Sequence, residues 1–215
     1  GSVEHLDIVK EMILGSTRNR FMFKYTAQSV NYVECHDNLT FFDKCLHMTD
    51  DLELIYKQQL LATSMVILSQ GVPFLHSGQE FYRTKELNEN SYISSDAINK
   101  IDWSLREKHE KDIAFIRDLI KLRKTHNCFR LRSTSDLEAK TEVVATKTGS
   151  LIVHFNDTCN LLIVFKPNDT LETIIIPEEY ELVLQSTDIE SSDENEFSLN
   201  QIGTFVFKKG EEQDV

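Results

Sequence analysis

Apolar residues in the first part of the chain recur with the spacing of α-helices. The spacing predicts helices over Val3–Leu14, Asp50–Gln70 and Asp112–His126, because apolar positions in each recur every three or four residues. Asp50 with Glu53 is suited to cap the second helix, and Gly71 followed by Pro73 is expected to end it.

Short apolar runs flank the second predicted helix. Ser29–Glu34 and Val72–His76 each predict a strand, one before the helix and one almost directly after it. A strand, a helix and a second strand with a tight return are typical of a parallel βαβ unit.

After Asn127 the pattern changes to short β-rich runs separated by turn residues. These runs are Glu142–Thr148, Leu151–Phe155, Leu161–Lys166, Glu172–Ile176, Glu181–Leu184 and Thr204–Lys208. They predict an antiparallel β-sandwich that closes its own core and folds independently. The boundary is expected near Leu131–Ser135, giving an α/β segment over 1–132 and a β-domain with an acidic tail over 133–215.

Charge narrows the classes of partner. The net charge of −12 and the pI of about 5.0 disfavour nucleic acid and anionic membranes, whereas a neutral polysaccharide is compatible. The acidic runs Asp188–Glu196 and Glu211–Asp214 are interpreted as a solvated face and tail. The sequence contains no apolar run of about 20 residues, the length that a transmembrane helix requires.

Cysteine and histidine spacings indicate neither disulfides nor a metal site. The four cysteines show no paired spacing and are interpreted as free thiols, which favours a reducing compartment such as the cytoplasm. Secretion stays open, because we expect the native N-terminus to lie outside this sequence. No cofactor is predicted, and calcium cannot be assigned to any residues here.

The densest group of candidate chemical side chains is Asn31–Asn38, which we call the octet. Here a predicted strand ends on Glu34, His36 and Asp37. Such an Asp can stay ionised beside a developing cation, and an imidazole N–H can bond a hydroxyl. The alternative is a capping Asp beside a structural His.

The octet resembles the last short motif of the α-amylase clan of glycoside hydrolases. Together with Gly71–Phe81, Arg83–Lys85 and Ile101–Trp103, in this order, it is similar to the type I pullulanases. The resemblance covers Ser29 to the C-terminus. It departs from the group at Cys35, where a small or polar residue is usual, and at Ser95, where proline is usual.

The resemblance implies a fold and an activity. The fold class would be α/β plus all-β: strands seven and eight of a (β/α)8 barrel with their helices, then an antiparallel β-sandwich. The activity would be hydrolysis of α-1,6-glucosidic bonds with retention, in pullulan, amylopectin or glycogen-type glucans. The nucleophile and general acid of this clan lie on earlier strands. The chain alone is therefore expected to be inactive, to need the N-terminal part of the barrel as its partner, and to be prone to self-association.

The resemblance also implies roles for single residues. Asp37 would hold two sugar hydroxyls and stabilise the transition state, and His36 would bind the same sugar. Further substrate contacts are predicted at Glu34, Arg83, Tyr92, Asp96 and Asn99. For Glu34 a structural salt bridge is an equal alternative, and Trp103 is interpreted as core packing.

Two other classes of function remain open. A carbohydrate-binding or structural β-sandwich module is one, although Tyr180 is the only Tyr and no Trp lies in the β-rich half. An interaction protein that docks through its acidic segment is the other. A much longer source protein would favour the enzyme over both.

Overall fold

A computed structural model describes residues 4–17, 23–156, 159–193 and 195–210. In these ranges the α-helices are α1 (Leu6–Ile13), α2 (Phe41–Leu46), α3 (Leu52–Leu68), α4 (Asp96–Asn99), α5 (Leu105–Lys108), α6 (Glu110–Thr125) and α7 (Thr134–Lys140). The strands are β1 (Val30–Asn31), β2 (Val72–Pro73), β3 (Thr141–Ala145), β4 (Leu151–Phe155), β5 (Leu161–Lys166), β6 (Glu172–Ile175), β7 (Tyr180–Gln185), β8 (Glu190–Asp193), β9 (Glu196–Leu199) and β10 (Gly203–Lys209).

The three predicted helices are present as α1, α3 and α6, although Val3 lies outside the described residues. The predicted cap of α3 is wrong by one residue, since Asp51 Oδ1, not Asp50, accepts a hydrogen bond from Leu54 N at 3.1 Å. Helices α2 and α7 escaped prediction, because six or seven residues are too few to show a helical period.

Helix α3 joins a parallel pair of very short strands. In this pair Val30 of β1 lies opposite Val72 of β2. The return from α3 is tight at Gly71, where φ is 95° and an added Cβ would lie 2.8 Å from Ser29 O. The predicted strand–helix–strand order is present. Each strand is two residues long, however, whereas six residues were predicted for β1 and five for β2. In the described ranges neither strand has a second neighbour to extend its ladder.

The β-rich half forms two antiparallel sheets. One has five strands in the order β3-β4-β5-β10-β7, and the other has three in the order β6-β9-β8. In the larger sheet Ile163 of β5 pairs with Val153 of β4 on one side and Val206 of β10 on the other.

Strand β5 is buried along its whole length, which explains its unbroken apolar run. Leu161, Ile163 and Phe165 face a cluster shared with α3 and α6. Leu162 and Val164 face the opposite way, into a cluster shared with the three-stranded sheet.

The hydrophobic core is therefore continuous across the predicted boundary. Leu68 of α3 and Leu119 of α6 belong to the same buried cluster as Ile163 and Val206. This corrects the prediction that the β-rich half closes its own core, because the helices cover one face of its larger sheet. Whether that half folds independently stays a prediction. Where a domain boundary falls along the sequence stays a prediction.

The acidic run Asp188–Glu196 is more than a solvated face, because it carries β8 and the start of β9. Phe197 and Leu199, which follow it in β9, pack into the cluster between the two sheets. The acidic run Glu211–Asp214 lies outside the described residues. Within those residues, no helix is both long enough and apolar enough to cross a membrane.

Candidate functional site

The octet follows β1, and its first carboxylate points inward. Glu34 Oε1 lies 2.9 Å from His76 Nδ1, and Glu34 Oε2 accepts a hydrogen bond from Phe41 N at 2.6 Å. The Glu34 side chain is fully buried. These contacts support the structural alternative, in which Glu34 ties the octet to the segment after β2. Its predicted contact with substrate stays a prediction.

The next two polar side chains point outward. His36 and Asp37 have exposed side-chain fractions of 83% and 80%, and His36 Nε2 lies 3.4 Å from Asp37 Oδ1. Asn38 turns the chain sharply away, with φ at 63° and its Oδ1 accepting from Leu39 N at 2.7 Å. The turn leaves the His–Asp pair at the surface with both side chains accessible.

Two buried ionisable residues hold this loop from behind. Lys85 is 1% exposed, and its Nζ donates a hydrogen bond to the backbone oxygen of His36 at 3.0 Å. Lys85 N donates in turn to Asp43 Oδ2 at 2.8 Å, while Asp43 Oδ1 accepts from the Thr84 hydroxyl. This support was not predicted from the sequence, although Lys85 belongs to one of the motifs.

The outward pair opens into a polar pocket of about 390 Å³, which we call the octet pocket. Its lining consists of His36, Asp37, Asn38, Glu89, Asn90, Ser91, Tyr92 and Asn99. The structure thus brings four of the predicted site residues together: His36, Asp37, Tyr92 and Asn99. The other four escaped individual prediction, because loop residues carry no periodicity that shows which side chains converge.

The remaining predicted contacts lie elsewhere. The Arg83 guanidinium donates to Asn99 O at 2.5 Å and to Ser77 O at 3.4 Å, so it fixes the loop backbone. Arg83 does not line this pocket, and its predicted contact with glucose units further from the cleavage point stays a prediction. Asp96 is exposed in the first turn of α4 and does not line the pocket. Asn99 has a second role, because its Nδ2 donates to Ser91 O at 2.6 Å.

Cys35, His36 and Asp37 place three candidate metal-ligand atoms within 4.8 Å of one another. Their closeness follows from their adjacency in the sequence, and the Cys35 thiol already contacts Asp37 O at 3.8 Å. Nothing beyond this adjacency points to an ion.

The pocket chemistry suits a neutral ligand rich in hydroxyls. Asp37 and Glu89 supply carboxylate acceptors, and the Asn and His side chains supply N–H donors. A carboxylate as exposed as Asp37 can also approach a positive charge that develops on a bound ligand.

Comparison with known proteins identifies relatives of this chain. No family model matches it. The pullulanase of Bacillus subtilis is 51% identical over 124 residues, which are 56% of this chain and 17% of that protein.

Solved structures extend the likeness to nearly the whole chain. The crystal structure of a pullulanase from Anoxybacillus sp. LM18-11 superposes with a TM-score of 0.90 at 33% identity, covering 98% of this chain and 31% of that one. The type I pullulanase of B. subtilis in complex with maltose gives a TM-score of 0.84 at 34% identity, covering 98% and 32%. The predicted resemblance to type I pullulanases is thereby confirmed, and the chain spans about a third of the length of these solved relatives.

Proposed function

We propose that this chain is the C-terminal part of a starch- or glycogen-debranching glycosidase that cleaves α-1,6-glucosidic bonds with retention. The observation that carries the proposal is the outward His36–Asp37 pair, which opens a polar pocket on a scaffold that superposes on solved pullulanases. The maltose bound by one of those pullulanases favours an α-glucan as the substrate. This likeness also favours the enzyme over a stand-alone β-module.

In this proposal Asp37 acts on the sugar at the cleavage point. Retaining hydrolysis passes through an oxocarbenium-like transition state, and hydrogen bonds to the sugar hydroxyls strengthen as the ring flattens. The Asp37 carboxylate accepts such bonds and stabilises the developing positive charge, while His36 donates to the same sugar. Tyr92 and Glu89, on the opposite loop, contact glucose units further along the chain.

Two carboxyl groups about 5–5.5 Å apart would perform the covalent step. We propose that they lie on earlier strands of a (β/α)8 barrel, which this chain completes as follows. Strands β1 and β2 with α3 are its seventh and eighth strands with the connecting helix, and the two antiparallel sheets are the terminal β-sandwich. The other partner of the chain is then the preceding part of that barrel.

The four cysteines are free thiols, which supports a reducing compartment such as the cytoplasm for the whole protein.

An assay of two polypeptides tests this proposal. The purified chain should release no reducing ends from pullulan, whereas a polypeptide that includes the preceding barrel should do so. The product of the longer polypeptide, followed by NMR, should keep the α-configuration at the new reducing end. Turnover by the chain alone, or inversion by the longer polypeptide, would contradict the proposal.

A further inference from the structure

Trp103, the only tryptophan of the chain, lies outside the octet pocket. Its indole contacts the buried ring of Phe81, with 5.7 Å between the ring centroids and 54° between the ring planes. Its overall exposure is nevertheless 58%. The interpretation of Trp103 as core packing therefore holds only in part, and the exposed part of the indole forms an apolar platform beside its contact with Phe81.

This platform borders an open groove of about 510 Å³. The groove is lined by Trp103, Arg106, Glu107, Glu110, Ile113 and Arg117, and we call it the Trp103 groove. Glu110, Ile113 and Arg117 are three and four positions apart on α6, so they share one face of that helix. The turn that carries Trp103 is fixed by Asp102, whose Oδ1 accepts from Ser104 N at 3.0 Å and Ser104 Oγ at 2.6 Å.

The Trp103 groove contains four charged side chains. Within the described ranges, neither its two arginines nor its two glutamates have a side-chain hydrogen bond or an ion pair. Two positive and two negative groups give the groove no net charge, so a nucleic acid or an acidic peptide gains no electrostatic attraction there. The arginines and glutamates supply donors and acceptors for a neutral polar ligand next to the exposed indole of Trp103.

We propose that the Trp103 groove binds a neutral α-glucan chain separately from the octet pocket. The inference rests on the proposed function in taking the ligand to be an α-glucan. An indole has an apolar face and suits the C–H face of a pyranose ring. The arginine forks donate to sugar hydroxyls and the glutamates accept from them. The groove volume lies in the usual range of ligand sites, roughly 300–1,000 Å³. By binding a part of the glucan that lies away from the cleavage point, the groove would help to hold a branched substrate on the protein.

Intrinsic fluorescence tests the inference directly, because all tryptophan emission comes from residue 103. The intact chain is titrated with maltohexaose, and binding is followed in parallel by calorimetry. We expect a saturable change in emission, with an affinity that His36→Ala leaves unaltered. Calorimetry should show Trp103→Ala weakening this binding at least about tenfold. Arg117→Ala should weaken it as well, whereas Lys111→Ala, which removes a cation from another face of α6, should not.

The outcomes separate this inference from the proposed function. Calorimetric binding that depends on His36 while Trp103→Ala has no effect would overturn the Trp103 groove and leave the octet site intact. Absence of any fluorescence change at saturating maltohexaose would also overturn it. Circular dichroism confirms that each variant is folded, and Trp103→Phe, which keeps an aromatic platform, should retain part of the affinity.

Discussion

At the scale of single residues, one position in the octet points inward and two point outward. Glu34 is buried against His76 and Phe41, whereas His36 and Asp37 face the pocket. The residue types of the octet were predictable as chemically important. Their directions were not, because they depend on contacts from segments that lie up to 49 residues away, such as the Lys85 bond to His36.

Loss of the inward carboxylate should destabilise the fold. We expect Glu34→Ala to lower the free energy of unfolding by about 3 kcal/mol, because Phe41 N and His76 lose their buried acceptor. The control Glu89→Ala removes an exposed carboxylate and should change it by less than about 0.5 kcal/mol. Urea unfolding measures both variants, and equal effects would contradict the structural role of Glu34.

His109 should make stability depend on pH. Burial lowers the pKa of His109, and the nearby Lys108 lowers it further, while Asp112 and Glu53 oppose the shift. Its ring packs edge-on against those of Tyr56 and Tyr82, which also contact each other. The unfolded chain takes up a proton near pH 6.5 that the folded chain resists. Stability is therefore full above about pH 6.5 and falls as the pH drops toward the folded-state pKa.

We expect His109→Gln to flatten this dependence between about pH 7.5 and 5, as measured by urea unfolding. His126, whose pKa burial also lowers, will contribute a remaining slope. An unaltered slope in His109→Gln would contradict the assignment.

At the scale of elements, Arg123 of α6 caps the C-terminal end of α3. Its guanidinium donates to the backbone oxygens of Ile67, Ser69 and Gly71 at 2.7, 2.6 and 2.6 Å. Burial lowers the pKa of Arg123 to about 10, so it stays charged at neutral pH. It thereby satisfies carbonyls that the end of a helix leaves without partners.

Arg123→Met should therefore lower the free energy of unfolding by about 3 kcal/mol, since two buried carbonyls and one partly buried carbonyl lose their donor. Lys121→Met, an exposed substitution on the same helix, should change it by less than about 0.5 kcal/mol. Thermal and urea unfolding provide the measurement. Similar values for the two variants would show that water replaces the guanidinium at no cost.

The elements were predictable to different degrees. Strands β4 and β5 were predicted to the residue, because their apolar runs are bounded by turn residues on both sides. Strands β8 and β9 were missed, because their acidic and serine-rich run shows no apolar alternation. Pairing holds them in the sheet, β8 with β9 and β9 with β6. Strands β1 and β2 were predicted too long, since strand length depends on neighbours that a local pattern cannot show.

At the scale of the whole molecule, helices and sheets share one core. We expect the chain to unfold in a single transition, because Leu119 and Ile163 lie in the same buried cluster. Leu119→Ala, which opens a cavity at that junction, should cost about 3 kcal/mol and lower amide protection in both α3 and β5. NMR-detected hydrogen exchange reports the two elements separately. Protection lost in α3 but kept in β5 would support the sequence-based prediction of an independent β-domain.

The central claim concerns Asp37, and its test is the kinetics of Asp37→Asn in the longer polypeptide that carries this chain. We expect kcat on pullulan to fall by roughly 10²–10³ while KM changes little, because the lost interaction strengthens only in the transition state. Asp118→Asn, on the exposed face of α6, should behave like the unsubstituted enzyme. A kcat for Asp37→Asn within about threefold of the unsubstituted enzyme would contradict the role proposed for the His36–Asp37 pair.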